Sequence, residues 1–295
     1  MLSLWNHLVI DNPMSLEAVR VGRRFLRTGG DTGKAVNYTV MGILGVLYVW
    51  LLLTILRYRE DMSTMLLMFE LIILTLAVPA SLYGAVSAER EKLTWDSLIM
   101  TRLTPTQIIA GKLGWRVLLI VGVMALFQIP ILVCHFAAGM FSSAPTMSTP
   151  NVEMALGKIT FVQSLIFGWS LFLASLSFFA STKSRRPITT LSILTVGLLA
   201  FLALIPLLVS VFGGNAEWHG NDFAPLTVVG SLLVHLNPYY QMAVLLGSNS
   251  TQDDLWRAVG LNGSMPVVYG IGAVVLLIAS RQTLRGLEAP RRNLG

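Results

Sequence analysis

Six apolar runs, each about twenty residues long, recur along the chain at 36–56, 65–86, 114–136, 159–180, 189–212 and 264–284. A helix needs roughly 20 residues to cross a hydrocarbon core about 30 Å thick. Inside that core each backbone N–H and C=O must be satisfied within the segment, so runs of this kind fold as helices. The expectation is an all-α, polytopic membrane protein with six transmembrane helices. Pro266 and the glycines Gly263, Gly270 and Gly272 leave the start of the last run open. A further apolar run, 224–236, is too short to span and fits a re-entrant or interfacial segment. Composition agrees, since only 12% of the 295 residues are charged, against roughly 25% in soluble domains. The single cysteine, Cys134, excludes an internal disulfide and a cysteine metal cluster.

The basic residues set the orientation, because Lys and Arg are retained on the cytoplasmic side. With the N-terminus inside, seventeen of the 21 basic residues are inside. Only Arg57, Arg59, Lys158 and Arg257 are outside. Both termini are therefore expected in the cytosol of a multi-pass protein of the cell membrane, the bacterial inner membrane being the expected one. The first long apolar run begins near Val36, behind a basic stretch too long for the n-region of a signal peptide.

Residues 1–35 carry a helix signal of their own. Asn12 is a candidate N-cap and Pro13 fits the first helical position, where its missing N–H costs nothing. Met14, Ala18, Val21 and Phe25 then share one stripe, with Arg20, Arg23, Arg24 and Arg27 opposite. This predicts a cytosolic amphipathic helix, lying in the inner headgroup layer or packed on a soluble partner, and ended by Gly29 and Gly30.

Between the second and third runs lies a polar island, SAEREKLTWDSLIMTRLTPTQIIAGKL, residues 87–113. SAEREK is a good helix former and continues the second span into water. Thr94 can cap a short helix with Asp96 in its first turn, and Trp95, Leu98, Ile99 and Leu103 share one side. Thr104, Pro105 and Gln107 make a second helix start with a capping box. A connection between two spans needs only about four or five residues, so the longer island suggests docking. Trp95 would anchor a helix-in-groove contact within a charged rim of Glu89, Arg90, Glu91 and Lys92. The other reading rests the short helix on the lipid headgroups, with Trp95 at the interface.

Catalytic chemistry has little foothold. TGGDTGKA at 28–35 imitates a phosphate-binding loop, but Thr28 replaces the first required glycine and Ala35 the magnesium-binding hydroxyl residue. His7, His135, His219 and His235 are scattered, and no serine lies in GxSxG. Glu70 is the carboxylate well within a run, and an ionisable group there is a candidate for a translocation path or gate, or for an interfacial or helix-pairing role. Gln128 and Gln163 are further path candidates, with an interhelical hydrogen bond as the alternative. Pro79, Pro130 and Pro206 are expected to kink their spans. Gly168, Ser170, Ala174, Ser175 and Ser177 offer close approach, as do Gly42 and Gly45, either within the chain or between two copies.

The run Glu89, Arg90, Glu91, Thr94, Asp96, Leu98, Pro105, Ile109, Gly111, Lys112, Leu113 resembles the signature of ABC-2 type transporter permeases, an ERE-x-GT-like segment leading to TP and GKL. NPMSLEAVR is similar to that family's N-terminal connecting helix, and the apolar segment before NPYYQ to its short extracellular half-helices between spans five and six. The likeness extends over the whole chain, so 1–295 reads as one transmembrane domain, with 87–113 as its cytosolic coupling segment and 213–263 as its outer segment. It implies a non-catalytic permease subunit, an exporter, paired with a second copy or close paralogue and with two ABC ATPase subunits that bind ATP and magnesium. This chain would carry no cofactor and bind no nucleic acid. Glu89, Arg90, Glu91, Thr94, Trp95, Asp96, Leu98, Ile99, Arg102 and Pro105 would couple to the ATPase. The alternative is an assembly or signalling subunit that transmits mechanical change without transport. Lys92 and Leu93 depart from the family, which has a small residue such as Gly before Thr94.

Overall fold

The computed structural model describes residues 46, 48–49, 62–95, 103–141, 152–204, 207, 236–247 and 264–292. Outside them lie the expected N-terminal helix, most of the first span, the phosphate-loop imitation, residues 96–102 of the island and the short apolar run before Leu236. Every element among the described residues is helical. Helix α1 is Met62–Leu82, α2 Ser87–Glu91, α3 Pro105–Phe141, α4 Val152–Lys183 and α5 Pro187–Leu199, which continues as a π-helical segment, Ala200–Leu204. Helices α6, Pro238–Gly247, and α7, Met265–Arg292, follow.

Among the described residues, five stretches are long and apolar enough to cross a membrane: Thr64–Glu91, Pro105–Val133, Gly157–Lys183, Pro187–Leu204 and Met265–Gly286. They coincide with the last five expected runs. Helix α7 starts at Met265, so Pro266 falls in the first turn, where no intrahelical N–H is needed. The expected capping box before α3 is formed. The Thr104 N–H donates to Gln107 Oε1 over 2.9 Å, and the Gln107 N–H to Thr104 Oγ1 over 3.3 Å.

Contacts divide the chain into two units, Met1–Glu70 with Leu98–Val152, and Leu71–Ser97 with Glu153–Gly295. In the second, pairings advance in step along three helices. Trp169 Nε1 donates to Thr75 Oγ1, and twelve residues later in each helix the Ser87 N–H donates to Ser181 Oγ. A constant offset over about 18 Å of helix means that α1–α2 and α4 run parallel. Contacts of Gly168 with Pro266, of Trp169 with Tyr269 and of Phe172 with Gly272 place α7 parallel to α4 in the same way. Helix α5 runs against them, since Pro187 lies 3.8 Å from the position of a Cβ on Gly84 while Phe201 stacks on Trp169. The ends of α2, α4 and α7 that carry Lys92, Lys183, Arg281 and Arg285 therefore point the same way.

The second expected span does not continue as one helix through SAEREK. Helix α1 stops at Leu82, and Tyr83–Val86 form a turn before α2. The N–H groups of Val86 and Ser87 leave the helical ladder for Ser181. Ser87 Oγ takes the carbonyl of Tyr83 that its own N–H would have met. Gly84, a weak helix former, sits in the turn.

Candidate functional site

The turn from α1 to α2 and the loop from α4 to α5 hold each other by reciprocal caps. Ser181 Oγ accepts from the Val86 N–H at 2.9 Å and the Ser87 N–H at 3.0 Å. It also donates to Ser87 Oγ at 3.3 Å. Val86, the N-cap of α2, has no cap from its own side chain, so a residue of a distant helix does what an N-terminal Ser normally does locally. In return Arg90 Nη1 donates to the carbonyls of Thr182 and Ser184, at 3.0 and 3.3 Å. Thr182 stands in the last turn of α4 and Ser184 just beyond it, where carbonyls lack helical partners and a cation meets the negative end of the dipole. Arg90, expected in a charged rim, thus uses its guanidinium inward.

Helix α2 ends in a Schellman turn. The Thr94 N–H donates to the Glu89 carbonyl at 2.9 Å, and the Leu93 N–H to that of Arg90 at 3.3 Å. The position between them is left-handed and usually glycine; here it is Leu93, at φ 58°. Lys92 and Leu93 are the residues that depart from the pattern the sequence resembles, and the turn forms with both in place. Thr94 donates its hydroxyl back to the Glu89 carbonyl at 3.2 Å, and the N–H groups it was expected to cap lie outside the described residues.

The exposed apolar side chain of this stretch is Leu93, at 82% exposure, while Trp95 is only 7% exposed. Trp95 therefore does not present its ring as a docking anchor, which corrects the sequence expectation. Its indole N–H meets no acceptor among the described residues. Glu91 and Thr94 are exposed, and Glu89, Arg90 and Pro105 half-buried. Asp96, Leu98, Ile99 and Arg102 lie outside the described residues. Pro105 opens α3 and belongs to the first unit, and the other described residues of this set belong to the second.

Of the path candidates, Glu70 has no exposed surface in the folded chain. Gln128 and Gln163 are half-buried. The polar centre of the second unit lies elsewhere. Trp169 donates to Thr75 at 3.0 Å, Tyr239 hydrogen-bonds the same threonine, and the rings of Phe172, Phe201 and Tyr269 surround the indole. Below Tyr239, Asn237 Oδ1 accepts the Tyr239 N–H at 3.0 Å as the N-cap of α6, with Pro238 in the first position. The dipeptide Asn237-Pro238 repeats the Asn12-Pro13 signal and marks this helix in the sequence. Ser181 and the aromatic centre had no local signal, because their partners lie over 90 residues away.

Gly168 settles one of the small-residue positions. A Cβ there would lie 3.0 Å from the Pro266 carbonyl oxygen, so its close approach is internal to the chain. No family model matches the chain, and no curated protein matches it.

Proposed function

We propose that this chain is the membrane-spanning subunit of an ATP-driven exporter of the ABC-2 permease type, crossing the membrane six times with both termini in the cytosol. It pairs with a second copy or a close paralogue and with two separate ATPase subunits. The observation that carries the reading is the ERE segment. Its arginine and the serine opposite bind α2 to the end of α4 and the loop that leads into α5, so a push on the Leu93 turn reaches both. The parallel course of α1, α4 and α7 supports the orientation, because it gathers Lys92, Lys183, Arg281 and Arg285 at one end independently of any count of charges. ATP closure in the partner would displace the clasped segment and rock the permease halves, with Glu89, Arg90, Glu91, Thr94 and the rest of 87–113 as the coupling surface.

The test is co-expression with candidate ABC ATPases, any encoded beside the gene first, followed by purification through a tag on this chain. The ATPase should copurify, and Leu93→Asp should weaken its retention while leaving membrane insertion intact. The chain alone should neither bind nor hydrolyse ATP, and Lys34→Ala should leave turnover by the complex in place. Retention and coupled transport unchanged by Leu93→Asp would overturn the coupling role. Hydrolysis by the isolated chain, lost on Lys34→Ala, would overturn the division of labour. For orientation, cysteines at Glu60 and Trp218 should react with an impermeant thiol reagent from outside, and cysteines at Lys92 and Arg185 should not.

A further inference from the structure

Helix α7 has two different faces. Tyr269, Ala273, Ser280 and Leu284 are buried, on the side where Tyr269 and Gly272 meet Trp169 and Phe172 of α4. At about 100° per residue, Val267, Ile271, Val274, Ile278, Arg281 and Arg285 fall on one stripe on the opposite side, and all six are exposed. The stripe is apolar at its first four positions and cationic at its last two. Neither guanidinium has a hydrogen-bond or ionic partner among the described residues. Further along the sequence come Glu288, Arg291 and Arg292, so the surplus stays positive.

The change from apolar to basic falls at a defined level. The pairs Trp169–Tyr269 and Phe172–Gly272 share one offset between the two parallel helices. By that offset Lys183, the last residue of α4, is level with Thr283, between the two arginines. From Val267 to Ile278 is about 17 Å of helix, close to the roughly 15 Å of hydrocarbon in one leaflet. An acyl chain laid on the stripe therefore ends where the arginines begin. A soluble anion would use the arginines and leave the apolar positions uncovered. Arg281 and Arg285 are one turn apart, about 6 Å along the axis, a spacing at which two guanidinium groups can share one phosphate.

We propose that this face of α7 binds an anionic phospholipid, with its acyl chains along Val267–Ile278 and its phosphate between Arg281 and Arg285. A zwitterionic headgroup would bring its own ammonium towards the second arginine, whereas phosphatidylglycerol brings none. Each arginine near an anionic surface contributes roughly five-fold in affinity. The site rests on α7 crossing a membrane and not on the transport role.

The test places the photocrosslinking residue benzoylphenylalanine at Ile278 of the full chain, in nanodiscs of equal phosphatidylglycerol and phosphatidylcholine, and reads the masses of the lipid adducts. The control carries it at Ile129 of α3, which is exposed and has no Lys or Arg within twelve residues in sequence. At 278, phosphatidylglycerol adducts should exceed phosphatidylcholine adducts by about five-fold or more. The excess should vanish in the double variant Arg281→Gln, Arg285→Gln and persist in Arg281→Lys, Arg285→Lys. At 129 the adducts should follow the bulk ratio. Adducts at 278 in the bulk ratio, or an excess that survives the glutamine substitutions, would overturn the site. An unchanged lipid ratio combined with lost retention of an ATPase would assign the arginines to a protein partner instead. Absence of lipid adducts at both positions would overturn the membrane reading and the site with it. Should the glutamine variant fail to fold, the parent chain carries the test: raising salt from about 0.05 M to about 0.5 M should cut the excess at 278, and an excess indifferent to salt would refute the arginine–phosphate contact.

Discussion

The Tyr48 hydroxyl donates to the Leu126 carbonyl over 2.7 Å, and Leu126 stands four residues before Pro130 within α3. Proline has no N–H, so the carbonyl four residues earlier loses its helical donor. In an apolar surrounding that oxygen needs a partner from elsewhere, and Tyr48 supplies it. Tyr48→Phe should lower stability by about 1 kcal/mol. Pro130→Ala restores the internal donor, so Tyr48→Phe should cost much less in that background. A double-mutant cycle from thermal unfolding in detergent measures the difference.

Ser181→Ala removes the shared acceptor of two buried N–H groups and should cost about 2 kcal/mol. Arg90→Lys should destabilise less than Arg90→Ala, because an ammonium retains the charge at the end of α4 but cannot reproduce the guanidinium geometry. Melting midpoints of the three variants in one detergent check the order, and Ser181→Ala melting like the parent chain would remove the cap from the account.

Leu93 occupies a left-handed position that costs a side-chain-bearing residue about 1–2 kcal/mol. Leu93→Gly should therefore raise stability by about 1 kcal/mol, and Leu93→Val, β-branched at a positive φ, should lower it. The two melting midpoints should move in opposite directions. Under the proposed coupling to a separate ATPase, Leu93→Gly should yield a more stable chain that couples less well.

Two glycines separate rigid from adjustable packing. A Cβ at Gly168 would meet the backbone of Pro266, at 3.0 Å from the oxygen and 3.2 Å from Cα, whereas one at Gly272 would meet ring atoms of Phe172 at 3.0 and 3.1 Å. A ring can rotate aside and two packed helices cannot without separating. Gly168→Ala should cost about 1–3 kcal/mol and Gly272→Ala less, as read from their melting midpoints.

Runs of about twenty apolar residues determined, by the sequence alone, where the long helices lie, since length and apolarity are local properties. The Thr104–Gln107 capping box was legible for the same reason, as its partners stand three residues apart. The Asn237-Pro238 start of α6 was equally present in the sequence, in the same dipeptide that marks Asn12-Pro13. What the tertiary structure decided is where polar groups find distant partners. SAERE reads as a continuation of α1, yet it breaks at Tyr83–Val86 because Ser181 competes for two of its N–H groups. Arg90 reads as a surface charge, yet the open carbonyls at the end of α4 turn it inward, and Trp95 reads as an exposed anchor but is buried. The physical reason is common to the first two: in an apolar chain each freed N–H or C=O must find a partner, and which partner is near is set by how the helices pack.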